Sequence, residues 1–263
     1  MGRADVGRSL KRQVRRALHA AGYEISRYGR RVNPNEPELW ARNVRDQRQL
    51  IAAMAACLRE NANCVDVGSY RGNVIEHMAR LAPEGRHVAF EPIPWCATAL
   101  KGRWPNVEVR TAVVDARSRT LHLGDGDESV AVDVVSLDDA LADTSVDFLR
   151  IDVEDTELRV LQGATELLRR WRPTVVFEHS RDTYDVGAGD ELGTREAARN
   201  RGIFDLLVDE MGYRIFDLDG AGPLDREEFR SGYASMRRFN FLAVPARRPG
   251  RAVGIEPSVR SSA

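Results

Sequence analysis

The chain almost lacks lysine: of its 39 basic residues, only Lys11 and Lys101 are not arginine. That excess reads first as compositional drift and second as a supply of forked, bidentate anion contacts. Cysteine is scarce and odd in number. Cys57, Cys64 and Cys96 lie among apolar neighbours, which argues against a disulfide framework and fits a reducing compartment. No apolar run approaches the ~18–20 residues that span a bilayer, and the N-terminus lacks a signal-peptide core, so the cytoplasm is the expected location. Charge of one sign is missing too. A net charge of −1 gives no global basic field, and nucleic acid is not an expected partner.

What is present is enough apolar material for a core, 43% of 263 residues, in a length that suits one large α/β domain with trimmings. Residues 1–36 read as a basic helical extension and linker, with Val6, Leu10, Val14, Leu18 and Ala21 at helical spacing over 4–21 and arginines between them. That helix has three readings: packing on the domain, pairing with a second chain in a homodimer, or weak contact with an anionic membrane surface. Oligomeric state stays open. Residues 246–263 are polar, rich in Gly, Pro, Arg and Ser, and are expected to be a disordered tail.

Between them, over 37–245, strand and helix patterns alternate. A helix is expected from Pro37 to Glu60, with Pro37 suited to its first turn. Strands are expected at 64–67, 87–91, 107–114, 148–152 and 174–179, and helices at 74–81, 95–102, 156–170 and 196–211. Two strands, 213–218 and 239–244, close the domain. This pattern predicts a Rossmann-like doubly wound sheet of about seven strands, helices on both faces and the last strand antiparallel.

In such a sheet ligands bind beyond the carboxyl ends of the strands. Asp66-Val67-Gly68-Ser69-Tyr70-Arg71-Gly72-Asn73 forms the turn after the first strand. Gly68 is expected to let the backbone approach a ligand, Gly72 to let the next helix pack close, and that helix's N-terminus to face an anion. Tyr70 stands where a dinucleotide fingerprint needs glycine, so a pyrophosphate cradle is absent. A ligand with a single carboxylate, such as S-adenosylmethionine, fits better, with Asp66 serving its ammonium side. Glu91, at the end of the second strand, can accept both ribose hydroxyls. Asp152 and Glu154 follow the fourth strand and Glu178 and His179 close the fifth; all four are expected to face one crevice. No tight His/Asp spacing demands a metal, and none is expected.

These residues resemble the FkbM-type methyltransferases. The resemblance rests on Asp66–Asn73, Ala89-Phe90-Glu91-Pro92, Ser136-Leu137-Asp138-Asp139, Leu149-Arg150-Ile151-Asp152-Val153-Glu154, Leu161-Gln162-Gly163-Ala164 and Phe177-Glu178-His179, in order over roughly 62–245. It implies a class I methyltransferase fold, S-adenosyl-L-methionine as cofactor, and O-methylation of a hydroxyl on a small molecule, sugar, lipid or polyketide-type product. It also implies a cofactor site of Asp66, Gly68, Ser69, Gly72, Asn73, Glu91 and Pro92, with Ala112 and Val113 near the adenine and Asp152 and Glu154 at the methyl-transfer end. The chain departs from the family at Ser69-Tyr70 (usually Ala-Asn), Arg150 (usually Lys) and Asp155 (usually Gly).

Transfer to a hydroxyl benefits from a base. His179 is the first candidate, since a histidine can titrate near neutrality, and Glu154 is the second, with Asp152 tied to the cofactor. Arg181–Asn200 is the expected lid. The rival readings are a nucleotide-dependent Rossmann enzyme, a nucleic-acid methyltransferase, and a module that binds the cofactor without turnover, to which Tyr70 and Asp155 would point.

Overall fold

The computed structural model describes residues 37–123, 130–153, 155–179, 194–235 and 238–246. The expected helix over 4–21, Glu154, the part of the expected lid before Thr194, and the tail beyond Ala246 lie outside the described residues.

Helix α1 (Pro37–Cys57) precedes β1 (Cys64–Val67), α2 (Asn73–Leu81), β2 (His87–Phe90), α3 (Pro94–Arg103) and β3 (Val107–Arg110). After an excursion the chain returns through β7 (Phe148–Ile151), helices α5 (Glu157–Gln162) and α6 (Thr165–Trp171), and β8 (Thr174–Glu178). Helix α7 (Thr194–Phe204) continues into a π-helical turn (Asp205–Glu210), followed by β9 (Tyr213–Asp217), α8 (Arg226–Ala234) and β10 (Asn240–Pro245). The main sheet has seven strands in the order β3-β2-β1-β7-β8-β10-β9. β10 runs antiparallel to both its neighbours, and the other pairs are parallel. The fold is the expected Rossmann-like one.

β1 and β2 are buried along their whole length, as strands covered on both faces must be. Alternate side chains feed two cores. Cys64, Ala89, Phe148 and Val176 pack under α1, α2 and α3 with Met54, Ile75, Met78 and Leu100. Val65, Phe90, Leu149, Val175 and Phe177 pack on the other face with Leu161, Leu168, Ile203 and Phe229. The order reverses between β1 and β7, so the crevice for a ligand opens beyond Val67 and Ile151.

Three expected elements change. The strand expected over 107–114 is two. β3 stays on the main sheet and β4 (Ala112–Val114) leaves it for a small sheet with β5 (Arg119–Leu123) and β6 (Val130–Val135). The alternating burial of β3 and the complete burial of β4 are two environments written in one valine-rich run. The helix expected over 156–170 breaks between α5 and α6 at Gly163, where a Cβ would lie 2.2 Å from the Asp115 carbonyl oxygen. The last connection carries α8, opened by a reciprocal cap between Asp225 and Glu228. In the excursion, Ser136 caps the short helix α4 (Leu137–Ala140) by accepting from the Asp139 N–H.

Candidate active site

The turn after β1 is held from two sides. The N–H groups of Gly68 and Ser69 both donate to the Phe90 carbonyl, at 3.0 and 3.2 Å, and the Ser69 hydroxyl donates back to the Asp66 carbonyl at 3.0 Å. Gly68 has φ 86°, and a Cβ there would lie 1.9 Å from the Asp152 carbonyl oxygen. Its missing side chain therefore makes room for the end of β7. Gly72, at φ 78°, faces α3 rather than β1: a Cβ there would lie 2.6 Å from the Leu100 side chain. Asn73 opens α2, exposed, with Gly72 as its N-cap. Tyr70 sits at φ 44°, an uncommon conformation for a bulky residue.

Glu91 explains that conformation. Its Oε2 accepts from the Tyr70 N–H at 2.7 Å and its Oε1 from the Ile93 N–H at 2.8 Å, and Pro92 completes the bend between them. The side chain is only 3% exposed. Burial pushes its carboxyl up to about 7, against the two N–H bonds. Each oxygen holds one donor and retains a lone pair for another, as a carboxylate facing a vicinal diol requires.

Asp66, Arg150 and Asp152 share one face of β1 and β7, Asp66 and Arg150 being in register. The Arg150 guanidinium donates to Asp66 Oδ1 at 3.1 Å, to the Gly68 carbonyl at 3.1 Å, and to Asp152 Oδ2. Arg150 is thus the clamp between the two strand ends. Asp66 Oδ2 is buried with no hydrogen-bond partner among the described residues, and burial raises the Asp66 pKa. A donor arriving from a ligand would satisfy it. Ala112 and Val113 are buried in β4, just beyond Arg110, whose carbonyl accepts from the Glu91 N–H. Among the described residues no three His, Cys, Asp or Glu side chains lie as a metal would need.

The expected convergence of Glu178 and His179 on one crevice does not hold. Successive residues of a strand face opposite sides. His179 follows the Phe177 side, where its ring stacks on Tyr233 at 4.2 Å and Phe229 at 5.8 Å between centroids. Its relative exposure is 0%. Burial, reinforced by the Arg199 charge, pulls its pKa down to about 3, so the expectation of a base titrating near neutrality is corrected: the ring is neutral and a weak base.

His179 is met by helix residues that none of the motifs names. Glu157, the first residue of α5, is 3% exposed, and burial lifts its carboxyl to about 7. Its Oε2 lies 3.8 Å from His179 Nδ1, and neither atom has a hydrogen-bond partner among the described residues. From α7, the Asn200 amide donates to His179 Nε2 at 3.3 Å, and Arg199 donates to the Tyr233 hydroxyl at 2.8 Å and the Asp155 carbonyl at 3.0 Å. Arg199 also pairs with the Asp155 carboxylate. Asp155 has φ 66°, a conformation that favours glycine and that Asp tolerates better than most. The departure from glycine therefore adds a charge that α7 answers. The signal available was Glu157 three positions beyond Glu154, at the start of a helix. From Thr194 on, the expected lid is helical rather than loop.

Residues 110–215 match the family model described as the methyltransferase FkbM domain. No curated protein matches the chain. Solved structures that resemble it include a methyltransferase FkbM from Methylobacillus flagellatus KT, with 17% identity, TM-score 0.47, and coverage of 71% of this chain and 44% of that one. This chain thus spans less than half of that relative's length. Aeropyrum pernix fibrillarin, in complex with natively bound S-adenosyl-L-methionine, has 17% identity, TM-score 0.43 and 74% coverage of each chain. A precorrin-6y C5,15-methyltransferase from Geobacter metallireducens GS-15 has 13% identity, TM-score 0.40, and coverage of 65% and 73%. Over 110–215 the chain is a match to the FkbM methyltransferase domain, as its motifs implied, set in a Rossmann-like sheet.

Proposed function

We infer that the protein is an S-adenosylmethionine-dependent O-methyltransferase acting on a hydroxyl of a small molecule, glycan or lipid. The observation that carries the cofactor part is Glu91, a buried carboxylate fixed by two backbone N–H groups at the end of β2, beside a turn in which Tyr70 replaces a pyrophosphate cradle. Glu91 would hold the ribose hydroxyls, with Pro92 shaping its bend. Asp66 would take the ammonium group through its unpartnered Oδ2. Gly68, Ser69 and Gly72 set the turn, the N-terminus of α2 at Asn73 suits the carboxylate, and Ala112 and Val113 supply an apolar wall for the base. The residues present fit the group.

The bound cofactor supplies an electrophilic methyl carbon. The chain's own work is positioning, which can lower such a barrier by several kcal/mol. Asp66 and Asp152, bridged by Arg150, place a net negative pair of carboxylates at the methionine end, which suits a ligand that is cationic there. Among the described residues no helix is long and apolar enough to cross a membrane.

Calorimetric titration with S-adenosylhomocysteine tests this reading, with NAD and Glu91→Ala as controls. Micromolar binding that Glu91→Ala removes, with NAD silent, is expected. NAD binding, or S-adenosylhomocysteine binding indifferent to Glu91, overturns it. A screen of sugar, lipid and polyketide alcohols with labelled S-adenosylmethionine then tests the hydroxyl, and transfer only to nitrogen or carbon would overturn that part.

A further inference from the structure

We propose that Glu157 and His179 form the seat of the acceptor hydroxyl, His179 Nδ1–H holding its oxygen and Glu157 taking its proton. The proposal rests on the methyltransferase reading above and assigns a catalytic carboxylate that the sequence motifs do not single out.

The geometry supplies the argument. With the Asn200 amide donating to Nε2, the proton of the neutral His179 ring is on Nδ1. That N–H and Glu157 Oε2 lie 3.8 Å apart, each buried and each without a hydrogen-bond partner among the described residues. The gap is too long for a direct bond and short enough for one oxygen to reach both atoms. Two buried polar atoms left unpaired are costly, so an oxygen that accepts from one and donates to the other belongs between them. Water and an alcohol share that chemistry. Stacking between Tyr233 and Phe229 fixes the ring plane.

The groups facing this pair come from every neighbouring element. Asp152 and Asp155 lie on the β7 side, Glu196 and Arg199 on α7, and Tyr233 on α8. Arg199 is the one cation among these groups, and Asp155 engages it. Such a seat suits a neutral hydroxyl rather than an anion. The Asp155–Arg199 pair, with side chains 36% and 15% exposed, lies nearer the surface than the buried Glu157 and His179. In the reaction the hydroxyl oxygen forms its bond to the methyl carbon, the carbon–sulfur bond breaks with its electron pair going to sulfur, and the hydroxyl proton passes to the Glu157 carboxylate. Burial has already brought that carboxylate's affinity for protons into the neutral range, where a base is most effective.

The test is imidazole nitrogen NMR on the full chain saturated with S-adenosylhomocysteine, the His179 signals being assigned from among the five histidines by their loss in His179→Gln. The expected result is a neutral Nδ1–H ring whose resonances shift with a midpoint near pH 7 as Glu157 ionises. Glu157→Gln should flatten that curve, and Glu157→Asp should keep an inflection at a displaced pH. Adding n-propanol should move the same resonances in the wild-type protein. An Nε2–H ring, or a flat wild-type curve, overturns the pair. An inflection that n-propanol leaves unmoved means the seat holds water alone and overturns the acceptor role. Failure of the cofactor reading is seen separately, as absent S-adenosylhomocysteine binding, and the His179 curve can still be read on the unliganded protein.

Discussion

Two glutamates, one at the end of β2 and one at the start of α5, are equally buried and differ in their partners. Glu91 and Glu157 are each 3% exposed, and burial lifts each to about 7. Glu91 has a backbone N–H on each oxygen, whereas Glu157 Oε2 lies 3.8 Å from a histidine nitrogen and has no hydrogen-bond partner among the described residues. A carboxylate clasped by its own backbone is shaped to receive hydroxyls and stay put. One with an open oxygen is shaped to exchange a proton. Under the function proposed for this chain, equal burial would serve recognition at Glu91 and chemistry at Glu157.

Removing the two carboxylates in turn should separate their roles. Glu157→Gln should lower turnover on a hydroxyl acceptor by roughly 10²–10⁴, the range for a lost general base, while S-adenosylhomocysteine affinity stays put. Glu91→Ala should do the converse, weakening S-adenosylhomocysteine by about 100-fold. Two hydrogen bonds to a charged group carry about 1.5–3 kcal/mol each, part of which solvent entering the truncated site restores. Calorimetry and initial rates on the same two variants separate these effects. If both lose cofactor affinity equally, the division of labour is wrong.

Proton linkage sharpens the same contrast. A carboxyl whose folded pKa lies above its unfolded value holds its proton longer in the native state. Its contribution to stability is therefore complete below about 4.5 and is lost as pH rises through about 7. His179, depressed to about 3, acts in the opposite sense: it favours the fold above its unfolded pKa and loses that contribution as pH falls through about 3. Comparing wild type with Glu157→Gln cancels the histidine and the other shared groups. Between pH 4.5 and 7 the wild type should lose stability relative to the variant, by at most about 3 kcal/mol for a shift of this size. Urea unfolding across that range reads the difference. For Glu91 the corresponding loss should shrink when S-adenosylhomocysteine is bound, because ribose hydroxyls favour the charged form; for Glu157 it should not.

The place of Glu91 and of the glycine turn in the fold was legible in the sequence and the surroundings of Glu157 were not, for a physical reason. Glu91 and the glycine turn sit within a few residues of strand ends that hydrophobic runs mark, and the motif order carries the sheet topology with it. Glu157, Arg199, Asn200 and Tyr233 come from α5, α7 and α8, and meet only because those helices pack on the β8 face. No local spacing announces such a meeting. The same limit produced the misreading of His179. Its place at a strand end was evident, but which face it took depended on where β8 stopped. The small sheet of β4, β5 and β6 was missed because β3 and β4 read as one strand and Thr111 gave no break.

The smallest effect concerns Asp155, where the chain departs from glycine at φ 66°. Two terms oppose each other. Glycine would relieve a strained conformation, worth of order 1 kcal/mol or somewhat more, and would forfeit the Arg199 pair, worth about 0–1 kcal/mol at a partly exposed site. Asp155→Gly should therefore change stability by no more than about 1 kcal/mol. Asp155→Ala keeps the strain and loses the pair, so it should be the less stable of the two. Thermal melts of the three proteins order them. If alanine matches or exceeds glycine, φ at this position is not what favours glycine there. The Arg199 contact would then be the main reason for the aspartate, and α7 would depend on it to stay docked against the Glu157 seat.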